Sequence, residues 1–126
     1  PAVFWLDAHW SGGQTAGAGD ECPLLAELAA INASAAAHAV LVDDARCFLA
    51  PPPRPHQASQ WPSLPEVVAL LAGDGRRYVA LLDDVFIAVP AALRGPMQDY
   101  FQDRTTLEWD RMCRESRLRR WLREHL

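Results

Sequence analysis

The chain has 126 residues, half of them hydrophobic, and a formal net charge of −4. That length and composition suit one globular domain with a real core and exclude a disordered chain. No apolar run approaches the roughly 18 residues of a membrane span and no secretory pattern is present, so no membrane partner and a cytoplasmic location are expected.

All twelve basic residues are arginine, which with the many alanines and prolines points to a GC-rich bacterial source. Cys22, Cys47 and Cys113 show no C-x-x-C spacing, so free thiols in a reducing compartment are expected, without a zinc framework or disulfides. Residues 104–126 carry seven arginines against four acids, and residues 1–103 carry five against twelve. A basic tail can serve nucleic acid. Here acids alternate with the arginines, Asp110 with Arg114 and Glu115 with Arg119 at i,i+4. That interleaving predicts a solvated helix face and no nucleic-acid partner.

In chain order, Val3, Phe4, Trp5 and Leu6 lead into Asp7 and predict a strand over about 2–7. So short an apolar run, bounded by polar residues, suits a strand buried on both faces, as in a parallel sheet. The sequence begins at Pro1 directly before it. An uncovered apolar edge is an aggregation hazard, so the expectation is a piece of a larger domain whose amino-terminal part is missing, with mature processing or an obligate partner chain as weaker explanations.

The glycine-rich segment 11–21 follows, and Pro23 then suits a helix start with Asp20 and Glu21 just upstream. Leu24, Leu28, Ile31 and Ala35 recur at helical spacing and predict a helix over about 23–36. Val40, Leu41 and Val42 lead into Asp43 and Asp44, a second strand over about 38–43. Strand, helix, strand in that order predicts a parallel crossover.

Residues 51–62 are too proline-rich for regular structure. Ser63 with Glu66 predicts a capping box and a helix that stops at Gly73 to Gly75. Residues 77–82 and 85–89 predict a tight hairpin around Asp83-Asp84, a poorer primed-turn pair than Asp-Gly. Short helices are expected after Pro90 and Pro96. Thr105 and Glu108 would cap a last helix over about 106–125, with Leu107, Met112, Leu118, Trp121 and Leu122 inward. The fold class is α/β, three-layered, ending in an antiparallel hairpin and a terminal helix. Domain limits are expected at 1–103 and 104–126.

In open α/β sheets the ligand crevice lies outside the carboxyl ends of the strands. Asp7, Asp43 and Asp44 occupy such ends, and adjacent strands about 4.8 Å apart would let them converge. They could supply oxygen ligands to magnesium, and His9 would stand beside Asp7 as general base. Equally, strand-end aspartates cap helices or fix turns, one of Asp43 and Asp44 can point away, and His9 can be a hydrogen-bonding loop residue. Trp10 and Trp61 could line a substrate pocket or simply pack. Gly12, Gly13, Gly17 and Gly19 could contact ligand through backbone or form a flexible cover. They match neither a dinucleotide fingerprint nor a P-loop. His38, His56 and His125 show no ligand spacing and are taken as surface or structural.

The strings FWLDAHWSGG, ECPLLAEL, VLVDDAR, WPSL and LLDDVFIAV together resemble the carboxyl-terminal half of class I S-adenosylmethionine-dependent methyltransferases, nearest the FkbM-like group. The resemblance spans about residues 2–90. It implies a partial Rossmann-like sheet in which 2–7 and 38–43 are strands four and five, and 77–89 the closing hairpin. It further implies methyl transfer to a hydroxyl oxygen of a small molecule or sugar, with the main cofactor-binding residues outside this chain. Metal-dependent members carry an aspartate after strand four, matched by Asp7, and an acidic pair after strand five, matched by Asp43 and Asp44. His9 stands where sugar-type enzymes carry an acidic base. The isolated chain would then be inactive. Two alternatives stay open, a non-enzymatic α/β interaction domain and a metal-dependent hydrolase using the same aspartates. A receiver domain is disfavoured, because the order of its motifs is reversed and the chain has no lysine.

Overall fold

Two parallel strands, β1 (Val3–Leu6) and β2 (Ala39–Val42), pair with Val3 opposite Ala39 and Leu6 opposite Val42. They belong to a computed structural model that describes residues 1–7 and 9–125, the side chains at 118, 120, 122 and 124 excepted. Helix α1 (Leu24–Asn32) makes the crossover between them. A hairpin of β3 (Arg77–Leu82) and β4 (Val85–Pro90) completes a mixed four-stranded sheet in the order β1-β2-β4-β3. Strand β4 runs antiparallel to both neighbours, so β3 points the same way as β1 and β2.

Asp83 and Asp84 have φ values of 47° and 69°. Two positive φ angles in a two-residue loop are the primed-turn geometry whose twist matches the strands. Aspartate reaches that region more readily than most side chains, so Asp-Asp makes the turn it was poorly suited to.

Between β2 and β3 lie α2 (Arg46–Leu49), a 3₁₀ turn at Ala58–Gln60 and α3 (Leu64–Ala72). The capping box forms as predicted, with the Ser63 N–H donating to Glu66 Oε2 at 2.8 Å. Gly73 ends α3 in the left-handed conformation, φ 53°, which glycine enters without a Cβ penalty.

Helix α1 buries Leu24, Leu28 and Ile31, and α3 buries Val67 and Leu71, in one cluster with Val40, Val42, Phe86 and Ala88. By strand alternation those four sheet residues share one face. Both helices therefore cover the same side of the sheet, giving two layers here where three were expected. On the opposite face of β1, Val3 and Trp5 remain exposed. The expectation that β1 is buried on both faces thus fails, because an apolar run alone does not report whether a second layer exists.

Helix α1 also ends at Asn32, short of the predicted 36. The Arg76 guanidinium donates to the carbonyl oxygens of Asn32 and Ser34 at 2.9 and 3.1 Å, holding the chain as it leaves the helix. Arg77 does the same for α3, its Nε 2.7 Å from the Leu71 carbonyl oxygen. Arginines at helix carboxyl ends satisfy free carbonyls and oppose the negative end of the dipole.

The chain divides into two compact units, Pro1–Ala91 and Ala92–Leu126, not at 103/104. The second is dominated by one helix, α4 (Arg94–His125). It runs through Pro96, which lies in the first turn, where no helical N–H is lost. Thr105 therefore sits inside the helix and caps nothing, and the neighbouring Thr106 hydroxyl donates to the Gln102 carbonyl oxygen at 2.8 Å. Leu107, Met112 and Trp121, expected inward, are exposed. Leu118 and Leu122 lie outside the described side chains. Among the described residues no helix is long and apolar enough to cross a membrane.

Two substitutions separate core from helix surface. Leu71→Ala should lower unfolding free energy by about 2–5 kcal/mol in urea titrations. Leu107→Ala should stay within about 0.5 kcal/mol.

Candidate functional site

Strand β1 delivers Asp7 and, two residues on, His9, while β2 delivers Asp43 and Asp44 at the same end of the sheet. The ladder continues to the brink of the site, where the Asp43 N–H donates to the Leu6 carbonyl oxygen at 3.0 Å. His9 lies between two carboxylates, its Nδ1 3.6 Å from Asp7 Oδ1 and its Nε2 3.4 Å from Asp44 Oδ2. His9 and Asp44 side chains are each 23% exposed and Asp7 is 53% exposed. Asp7, His9 and Asp44 each present one ligand atom, all within 4.8 Å of one another, so the group could chelate a divalent metal ion.

Asp43 does not join them. Its Oδ1 accepts the Asp44 N–H at 2.8 Å, which fixes the backbone where Asp44 takes φ 53°. Its role is to turn the chain so that Asp44 faces His9. Among the described residues the donor atoms that converge are those of Asp7, His9 and Asp44, without Asp43.

Two contributors were not apparent in the sequence. Arg46 NH2 lies 2.6 Å from Asp44 Oδ1, and its NH1 pairs with Asp84 across the hairpin turn. Asp84 also accepts the Arg46 N–H at Oδ1, 2.8 Å, and the Ala45 N–H at its carbonyl, 2.8 Å. The β3–β4 turn thus holds the start of α2 and, through Arg46, one oxygen of Asp44. Arg46 stood in view in the VDDAR string, but its partner Asp84 is 38 residues away.

Behind the trio, Trp61 sets its ring 5.6 Å from that of His9. Trp61 is held by Glu21, the only fully buried carboxylate among the described residues. Glu21 accepts the Trp61 indole N–H at 2.8 Å and the Gln57 backbone N–H at 3.0 and 3.2 Å, and His56 Nδ1 lies at 3.2 Å. Burial alone would raise its pKa. Hydrogen bonds from Trp61, Gln57 and His56 together outweigh that and hold the carboxyl below the ordinary range. His56 is thus one of the groups that hold Glu21. Trp10 is also buried, edge-on to His56, and its indole Nε1 has no hydrogen-bond partner among the described residues. Gly17 bends the glycine-rich segment over it at φ 103°, the Cβ position 3.5 Å from that of Trp10.

A narrow cleft beside the trio is lined by Asp7, His9, Asp43, Cys22, Glu27 and Phe48. A larger one of about 450 Å³ lies around Trp61, Pro62, Gln60, Cys22, Asp20 and Glu66, and none of the trio lines it. Trp61 is common to the His9 contact and this larger cleft, whereas Trp10 lines neither. Burial raises the Cys22 and Cys47 thiols, which stay protonated and unpaired.

Comparison with protein-family models, with curated proteins and with solved structures returns no match.

Because Glu21 has a depressed pKa, its contribution is complete above the ordinary glutamate value of 4.5 and is lost as pH falls through the lower folded value. Glu21→Gln should therefore lower the urea midpoint at pH 7. The gap from wild type should close as the pH is taken below 4.5.

Proposed function

We propose that this chain is the acceptor side of an S-adenosylmethionine-dependent methyltransferase acting on a hydroxyl oxygen of a small molecule or sugar. The observation that carries the reading is the convergence of Asp7, His9 and Asp44 at the carboxyl ends of two adjacent parallel strands. That is where open α/β sheets bind ligands. The motif strings that resemble the carboxyl half of such enzymes supply the reaction type, and the parallel pair followed by an antiparallel hairpin agrees with them.

In this reading Asp7, the most open member of the trio, and His9 contact the reacting hydroxyl. Asp44, fixed by Arg46, keeps His9 in place. Trp61 forms the wall between the trio and the larger cleft, which gives the rest of the acceptor a place to lie. S-adenosylmethionine would supply the methyl group, held chiefly by the amino-terminal half of the same domain. The protein's own part is to bind and orient the acceptor and to receive its proton. Removing such a group commonly costs about 10²–10⁴ in rate.

The test uses the protein with its upstream segment restored. It should bind S-adenosylmethionine in calorimetry and methylate hydroxylated acceptors, and Asp7→Asn and Asp44→Asn should each lower turnover by about 10² or more. The isolated chain should show no transfer. Absence of S-adenosylmethionine binding by the longer protein would overturn the assignment. Unchanged turnover in both variants would favour an interaction domain, and hydrolysed products would favour a hydrolase.

A further inference from the structure

We propose that Asp7, His9 and Asp44 form a mixed nitrogen–oxygen site for a zinc-type transition ion, and that Arg46 is the positioning residue that aims Asp44 into it. The inference deepens the reading above, rests on it for the role of the trio, and names the ion that the trio selects.

The donor set decides the class of ion. Magnesium takes oxygen ligands in near-ideal octahedral geometry and usually keeps several waters. An imidazole nitrogen in the set moves preference toward zinc and its first-row neighbours. Asp43, whose Oδ1 accepts the Asp44 N–H, stands outside the group of converging donor atoms. What remains is one imidazole and two carboxylates, each offering an atom within 4.8 Å of the others. Zinc bonds of about 2.0–2.2 Å to nitrogen and oxygen place ligand atoms roughly 3–3.5 Å apart. The His9 Nε2 to Asp44 Oδ2 contact, 3.4 Å, already has that spacing; Asp7 Oδ1 faces the other ring nitrogen, Nδ1, at 3.6 Å, and one donor atom of each of the three residues lies within 4.8 Å of the others. Three protein donors also leave a fourth position open, the hallmark of a catalytic rather than a structural zinc site.

The surroundings agree. Metal-ligating carboxylates are commonly held by a further hydrogen-bonding group, and Asp44 has one. Arg46 grips Oδ1 at 2.6 Å and leaves Oδ2 toward His9. Arg46 is itself held by Asp84, from the hairpin turn. The guanidinium, shared with Asp84, thus leaves Asp44 one oxygen free toward His9. Trp61 packs at 5.6 Å from the His9 ring and limits its rotation.

The test is cobalt, zinc and magnesium titration of this chain by calorimetry and visible absorption, cobalt serving as the spectroscopic probe. One cobalt ion should bind per chain, displaced by zinc, with magnesium at least about tenfold weaker. His9→Ala and Asp7→Asn should abolish the cobalt absorption, with circular dichroism confirming the fold. Asp7 is half exposed, so its variant keeps the test open if His9→Ala fails to fold. Asp43→Asn should retain the absorption. Arg46→Gln should weaken binding by about 10–100-fold, and Arg46→Lys should restore part of it. Magnesium binding as tightly as cobalt, or cobalt absorption surviving both His9→Ala and Asp7→Asn, would overturn the proposal. Metal binding here without methyl transfer by the longer protein would sink only the functional reading. Methyl transfer without zinc-type binding would sink only this one.

Discussion

The site depends on the parallel, in-register pairing of β1 with β2. Because Leu6 lies opposite Val42, the next residues, Asp7 and Asp43, leave the sheet side by side. A shift of one residue would turn Asp7 and His9 to the other face and dissolve the trio. The register is set by burial. Val40 and Val42 fill the cluster under α1 and α3, so slipping β2 by one would expose them and bury their neighbours.

Around that pair the structure adds two clamps drawn from distant sequence. One is the β3–β4 turn, whose Asp84 reaches Arg46 and so holds Asp44. The other is the buried Glu21, which fastens Gln57 and Trp61 of the proline-rich segment to the loop after β1. Burying a carboxylate is unfavourable unless its oxygens are satisfied. Four hydrogen bonds and close contacts meet that condition and make the segment 51–62 an ordered wall behind His9.

Much of this was legible in the chain. The strand–helix–strand crossover, the Ser63 capping box, the closing hairpin and the strand-end positions of Asp7 and Asp44 follow from periodicity and turn chemistry. The rest was not, for reasons of range. Arg46 with Asp84 and Glu21 with Trp61 are contacts across about 40 residues, and no local pattern announces them. The apolar run of β1 does not tell one-sided from two-sided burial, so Val3 and Trp5 were misplaced. The terminal helix was drawn too short because Pro96 looks like a break, whereas it is harmless in a first turn; the short helix expected after Pro90 is present as a 3₁₀ turn, Ala91–Leu93. Of the candidate site residues, Asp7, His9 and Asp44 are brought together, Asp43 supports the backbone, and Trp61 but not Trp10 lies against His9.

The central claim is that His9 stands between Asp7 and Asp44 in one site. Nitrogen-15 spectra of the His9 imidazole in wild type, Asp7→Asn and Asp44→Asn test it most directly. Asp7→Asn should shift chiefly the Nδ1 resonance and Asp44→Asn chiefly the Nε2 resonance. Imidazole resonances that ignore both substitutions would contradict the account.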